Sequence, residues 1–127
     1  MATLKAQNIA IDRFVLGTPN DVVTVAASGS VVCGPIDLQR VDTSTGVIVL
    51  DVGGAGGSVK LTGQISHNGE DEAYTYPADL IATTTSGGVY KLSDSSFVYG
   101  RYLTVTATET VGSNAADVKV YFMAQGA

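Results

Sequence analysis

His67 is the single histidine of this chain. A histidine-centred hydrolase needs a nucleophile and an orienting acid around it. The nearest serine, Ser66, is its neighbour on what reads as a strand end, where successive side chains point to opposite faces. His67 also stands beside Asn68-Gly69, a turn signal, so an exposed turn residue is expected there and not a catalytic base. Glu70, Asp71 and Glu72 form the one charge cluster, and with Asp79 they lie between Lys60 and Lys91 with no lysine or arginine among them. Carboxylates that converge on a loop bind Ca²⁺ through oxygen ligands. Consecutive acids in a strand or turn alternate direction, however, and nothing here matches an EF-hand, so a solvated acidic turn is the expectation. The cluster Gly53-Gly54-Ala55-Gly56-Gly57 is followed by neither Lys-Ser/Thr nor a helix, which argues for a mobile β-connection over a phosphate loop. Cys33 is the only cysteine, so neither an internal disulfide nor a multi-cysteine metal site is possible. Beside Val31 and Val32 it reads as a small buried hydrophobe and not as a reactive thiol. No catalytic residue, cofactor or metal is therefore expected, and the chain reads as a non-enzyme.

Aromatic residues leave one binding chemistry open. Glycosidases need two carboxyls at a set separation in a cleft, usually an aromatic one; here tryptophan is absent, with six tyrosines and three phenylalanines. Tyr74, Tyr76 and Tyr90 have the apolar faces and polar tips of a sugar platform. Tyrosine at alternating strand positions is also ordinary sheet packing. A carbohydrate- or receptor-binding β-sandwich module is thus the alternative reading of function.

These residues must be positioned by strands. In 102–108, Leu103, Val105 and Ala107 share one face, and Tyr102, Thr104, Thr106 and Thr108 the other. In 116–123, Val118, Val120 and Phe122 oppose Asp117, Lys119 and Tyr121. A period of two around the polar connection Glu109 to Ala115 predicts an antiparallel hairpin with one buried face. Earlier strands are expected at 8–15, with Ile9 and Ile11 together, and at 21–27. Others fall at 31–34 and 36–41, split by Pro35, which cannot donate to a ladder. Asp42 to Gly46 reads as a polar turn, and the apolar run Val47 to Val52 as a strand buried on both faces. Val59, Leu61, Gly63 and Ile65 alternate toward Asn68-Gly69, whose type I′ preference makes it the strongest short hairpin signal. The return strand runs over 72–76 to Pro77. Residues 78–85 are ambiguous between a short helix and a strand, and short strands are expected at 89–92 and 97–99. About eight to ten short strands at this spacing predict an all-β, single-domain antiparallel β-sandwich or jelly-roll-like barrel over 8–127.

Composition agrees. The 127 residues are 45% hydrophobic and 15% charged, with 15 glycines, a profile of short strands joined by small-residue turns. The net charge is −5 and the lysines and arginines at 5, 13, 40, 60, 91, 101 and 119 are scattered. Nucleic acid and anionic membranes need a basic face, so neither is expected as a partner. No run approaches transmembrane length and the first residues lack the pattern of a secretory signal. Low charge on an apolar-rich chain suggests that some surface is covered by a partner. The lead-in Met1, Ala2, Thr3, Leu4, Lys5, Ala6 and Gln7 is expected to be an arm that binds that partner, because so short a mixed segment can order on docking.

Two segments carry a resemblance. One is Val59 to Ser66 followed by His67-Asn68-Gly69; the other is Gly100-Arg101-Tyr102-Leu103-Thr104-Val105-Thr106 with Ala116 to Tyr121. Together, over roughly 58–123, they resemble the small β-sandwich capsid decoration, or cement, proteins of tailed bacteriophages. Those chains often show a strand ending in S-x-(D/N)-G and a terminal G-R-Y-L/I-x-V strand. The return strand of that family often carries a tryptophan, where this chain has Glu70 to Tyr74. The resemblance implies a virion structural protein made in the host cytoplasm. It would bind the outer capsid surface and clamp neighbouring major capsid proteins as a homotrimer, or else a dimer.

Overall fold

A computed structural model describes residues 13–14, 23–39, 41–53, 56–67 and 74–126. The strands are β1 (Arg13–Phe14), β2 (Val23–Val25), β3 (Ser30–Asp37), β4 (Val41–Gly53) and β5 (Val59–Ser66). They continue with β6 (Tyr74–Thr75), β7 (Ile81–Thr84), β8 (Gly87–Lys91), β9 (Tyr102–Glu109) and β10 (Ala116–Gly126). No helix occurs among the described residues. One sheet runs β1-β10-β4-β8, with β2 also on β10; the other runs β3-β9-β5-β6, with β7 also on β5. Every pairing is antiparallel. The two sheets stay open and pack face to face, which makes the fold a β-sandwich and not a closed barrel.

Alternation builds the core. Ile48 and Leu50 of β4 and Val118, Val120 and Phe122 of β10 point inward from the first sheet. Leu61 and Ile65 of β5 and Leu103, Val105 and Ala107 of β9 point inward from the second, and all belong to one buried cluster. Leu38 plugs the β3–β4 corner, where its N–H donates to the Arg101 carbonyl at 2.6 Å.

The face assignments of β9 and β10 are as the alternation predicts, but their pairing is not. The two strands form no hairpin: β9 lies between β3 and β5, and β10 lies between β4 and the β1 and β2 strands. Their apolar faces meet across the sandwich instead of side by side. Two amphipathic strands satisfy their periodicity equally well either way, and the six-residue connection 110–115 is long enough to change sheets. The connections β2–β3, β3–β4, β4–β5, β7–β8, β8–β9 and β9–β10 all pass from one sheet to the other.

Four other local expectations are corrected. Asp42 to Gly46 is not a turn, because β4 continues through it and pairs Asp42 with Gln125 and Val41 with Gly126. The Asp42 carboxylate accepts from the Ser44 N–H and hydroxyl, so polar side chains there serve one another within the strand. The run Val47 to Val52 is not buried on both faces: Ile48 and Leu50 are buried, while Val47 and Val49 are only half-buried. Phe97 to Tyr99 is not a strand. Pro35 does fall at a register irregularity, between Cys33 and Ile36, but it does not split two strands: β3 runs through it to Asp37, and Val41 already belongs to β4. The ambiguous 78–85 resolves into bends followed by β7. The arm Met1 to Gln7, most of the predicted strand 8–15, the Asn68-Gly69 turn and the Glu70-Asp71-Glu72 cluster lie outside the described residues.

Gly87 opens β8 at φ 120°, opposite Asp51, a backbone conformation that side-chain-bearing residues rarely adopt. A Cβ there would run into the Leu50 carbonyl oxygen. Gly87→Ala is expected to lower stability by about 1–3 kcal/mol. Gly53→Ala, where an added Cβ meets nothing within 4 Å, should shift it by less than about 0.5 kcal/mol. Urea midpoints compare the two variants directly.

Candidate functional site

Two surface features stand out. The first is the outward face of the β10-β4-β8 sheet. Register places Tyr121 beside Val49 and Val49 beside Val89, with Met123 beside Val47 in the adjoining row. Val89 is 57% exposed and Met123 39%; Val47, Val49 and Tyr121 are half-buried. An apolar stripe therefore crosses three strands. Charge returns at its borders, where Lys119 pairs with Asp51 and Lys91 lies opposite Val47. The outward face of the other sheet differs. It carries Thr104, Thr106 and Thr108 on β9 beside Gln64, Thr62 and Lys60 on β5, with the exposed Val32 of β3 opposite Thr106 as an isolated apolar side chain. Val47 and Val49, the β4 part of the stripe, are the outward half of the apolar run expected to be buried on both faces.

The second feature is a cleft of about 270 Å³ at the edge of the sandwich, lined by Tyr74, Tyr76, Pro77, Ala78, Asp79, Leu80, Tyr90 and Ser96. It brings together the tyrosines singled out as a sugar platform. Gly63 makes the seat: a Cβ there would press to 2.8 Å on both the Tyr76 ring and Leu80. The N–H groups of Tyr76 and Leu80 donate to the Gly63 and Leu61 carbonyls, which fixes the segment onto β5. The Tyr76 hydroxyl donates to the Val98 carbonyl at 2.6 Å, and burial pushes its pKa up. Tyr74 meets Tyr76 edge-on, with centroids 5.5 Å apart and an interplanar angle of 80°. Tyr90 projects inward from β8. Burial raises its pKa, and the nearby Ser96 hydroxyl lowers it as a hydrogen-bonding neighbour, although the two hydroxyls do not meet at bonding geometry. The Ser96 hydroxyl donates instead to Asp94 at 2.7 Å.

A third arrangement is structural, and the sequence reading missed it. Glu109 ends β9 and is 1% exposed. One carboxylate oxygen accepts the Ser28 and Gly112 N–H groups at 2.9 and 2.8 Å; the other accepts those of Val111 and Ser58 at 2.9 and 3.1 Å. These bonds, the one from Ser28 foremost and then that from Gly112, hold its pKa down at about 2 against an ordinary 4.5, although desolvation opposes them. The carboxylate thereby ties the β2–β3 turn, the start of β5 and the β9–β10 connection to one point. Placing Glu109 in a polar linker hid this. Its parity with Leu103, Val105 and Ala107 was the signal that it points inward.

Asp79, on the wall of the cleft, is 4.0 Å from Lys60 in an exposed ion pair. The remaining candidates stay apart. His67 is exposed at the end of β5. Gly57 is packed, with the Ala115 carbonyl oxygen and the Ala116 Cβ within 2.8 Å of where its own Cβ would stand. That end of the glycine cluster is therefore held against the β9–β10 connection. No group of three histidine, cysteine, aspartate or glutamate side chains gathers among the described residues. Compared with known protein families and with characterised proteins, the chain matches no family profile and no curated sequence.

Proposed function

We propose that this protein is a structural component of a tailed-phage virion that binds the outer surface of the capsid and stabilises contacts between major capsid proteins. The observation that carries the reading is the stripe Val47, Val49, Val89, Tyr121 and Met123 on a broad, open sheet face. Contiguous outward apolar side chains with a charged border have the layout of a protein interface, an apolar centre within a polar rim. The resemblance of the Val59–Gly69 and Gly100–Tyr121 segments to capsid decoration proteins supplies the partner. In this reading copies act together, as a homotrimer before a dimer, because each added contact raises the effective concentration of the others at the shell. Residues Met1 to Gln7 serve as an arm laid over a neighbouring subunit.

Co-sedimentation with capsids assembled in the absence of this protein tests it. The wild-type chain is expected to pellet with the shells at saturable stoichiometry. The double variant Val49→Lys, Val89→Lys should lose attachment by at least about tenfold, since it places charges at the centre of the contact. Thr104→Lys, on the opposite face, should attach as wild type does. Removal of residues 1–7 should weaken attachment while the β fold persists. A strictly monomeric protein with no affinity for shells, or a double variant that pellets like wild type, overturns the proposal.

A further inference from the structure

The cleft between β8 and the segment from β6 to β7 has an unmet chemical demand. Tyr90 is 7% exposed, and its enclosed hydroxyl makes no hydrogen bond of regular geometry, because its neighbour Ser96 is turned to Asp94. Enclosed polar groups in folded proteins nearly always have one, because leaving them unpaired costs much of their lost hydration. Next to that hydroxyl is Ser96, an exposed residue on the cleft wall. The Ser96 hydroxyl donates to Asp94 at 2.7 Å, and Ser96 and Tyr90 line the same cleft. Around it stand an aromatic ring that is 40% exposed, Tyr74, and a carboxylate, Asp79.

We propose that this cleft binds one ring of a neutral sugar. The Tyr74 face takes the apolar C–H side of a pyranose, as aromatic rings with an apolar body do. Asp79, acceptor-only when ionised, accepts hydrogen bonds from sugar hydroxyls, and the Tyr90 and Ser96 hydroxyls complete the polar set. Tyr76 braces Tyr74 with its ring, while its hydroxyl is committed to Val98. The volume of about 270 Å³ lies just under the roughly 300 Å³ at which clefts begin to take drug-sized molecules, so it suits a single ring. No lysine or arginine is among the lining residues, and Lys60, 4.0 Å from Asp79, is already paired with that carboxylate, which disfavours phosphates and acidic sugars. The site is at the sandwich edge, apart from the apolar stripe on the outward face, so it stands or falls independently of capsid binding.

Titration of the isotope-labelled full chain, followed by NMR, tests this with methyl glycosides of glucose, galactose, mannose, fucose and N-acetylglucosamine. Sialic acid is the anionic control, and immobilised neutral oligosaccharides form the second arm. At least one neutral glycoside is expected to shift the Tyr74, Asp79 and Tyr90 signals with roughly millimolar affinity. Tyr90→Phe should weaken it by about tenfold while leaving thermal stability unchanged or higher, since the lost hydroxyl makes no hydrogen bond of regular geometry. Tyr74→Ala should abolish the shifts. Retention on oligosaccharides as well as soluble glycosides identifies a glycan chain as the source of the ring; binding of soluble glycosides alone identifies a free sugar. Failure of every neutral glycoside, which would mean that the cleft holds water only, overturns the proposal. So does binding unaffected by both Tyr90→Phe and Tyr74→Ala, or a preference for sialic acid.

Discussion

Val105→Asp is expected to leave no folded protein. Val105 is fully buried in β9, flanked by Cys33 on β3 and Gly63 on β5, and it projects into the space between the sheets. A carboxylate there has no partner within the apolar cluster. An unpaired buried charge costs at least several kcal/mol even after relaxation, against a total stability of roughly 5–15 kcal/mol for a domain. Thr106→Asp, one residue along on the outward face, should fold with stability within about 0.5 kcal/mol of wild type. Circular dichroism and dispersed amide NMR signals distinguish the two outcomes. A native-like Val105→Asp protein would contradict the parity on which the whole core rests.

Acid should loosen the sandwich through Glu109. An unfolded glutamate titrates near its ordinary 4.5, and the folded one near 2. The folded state therefore binds fewer protons than the unfolded state between those values, and stability falls as pH falls. The stabilisation is fully present above about pH 4.5 and is lost on descent toward pH 2. Asp94 adds a smaller trend of the same sign, because the Ser96 hydroxyl, and then its N–H, hold that carboxyl below its ordinary value. Glu109→Gln replaces an acceptor oxygen by a donor that faces two N–H groups. It is expected to lower Tm at neutral pH by roughly 10 °C or more. The variant and wild-type curves should then converge as pH approaches 2, where the wild-type carboxyl is itself protonated. Parallel curves from pH 7 to pH 2 would show that the carboxylate does not hold the three loops.

What was legible in the sequence was parity. The alternation of Leu103, Val105 and Ala107, of Val118, Val120 and Phe122, and of Val59, Leu61 and Ile65 reports which side chains are inside, because a one-residue slip would expose every one of them. Parity does not report who pairs with whom. Inward faces look the same whether strands lie edge to edge or across a core, so β9 and β10 read as a hairpin although a sheet change separates them. The same limit hid the apolar stripe. Val47 and Val49 alternate with Ile48 and Leu50 in an unbroken apolar run, and an outward valine on an interaction surface has the composition of an inward one. Tyr74, Tyr76 and Tyr90 were recognisable as a potential platform. The cleft itself was not, because it depends on β8 facing the segment that Gly63 seats on β5.

The passage of the chain back and forth between the sheets also bears on how the protein reaches its structure. Among the described strands, β5 and β6 are the only sequence neighbours that share a ladder, through the pairs Gln64–Thr75 and Ile65–Tyr74. The other pairings join distant segments, and β10 comes later in the chain than each of its partners β1, β2 and β4. Closing such long loops costs chain entropy before any contact rewards it, which places folding in the millisecond-to-second range of sandwich proteins. The first sheet, with the outward stripe it carries, cannot be completed until β10 has left the ribosome, because β1 and β2 join it only through β10. Until then β4 has only β8 as a ladder partner, and its other edge stays open beside apolar residues on both faces, the kind of edge most prone to associate with another chain during synthesis.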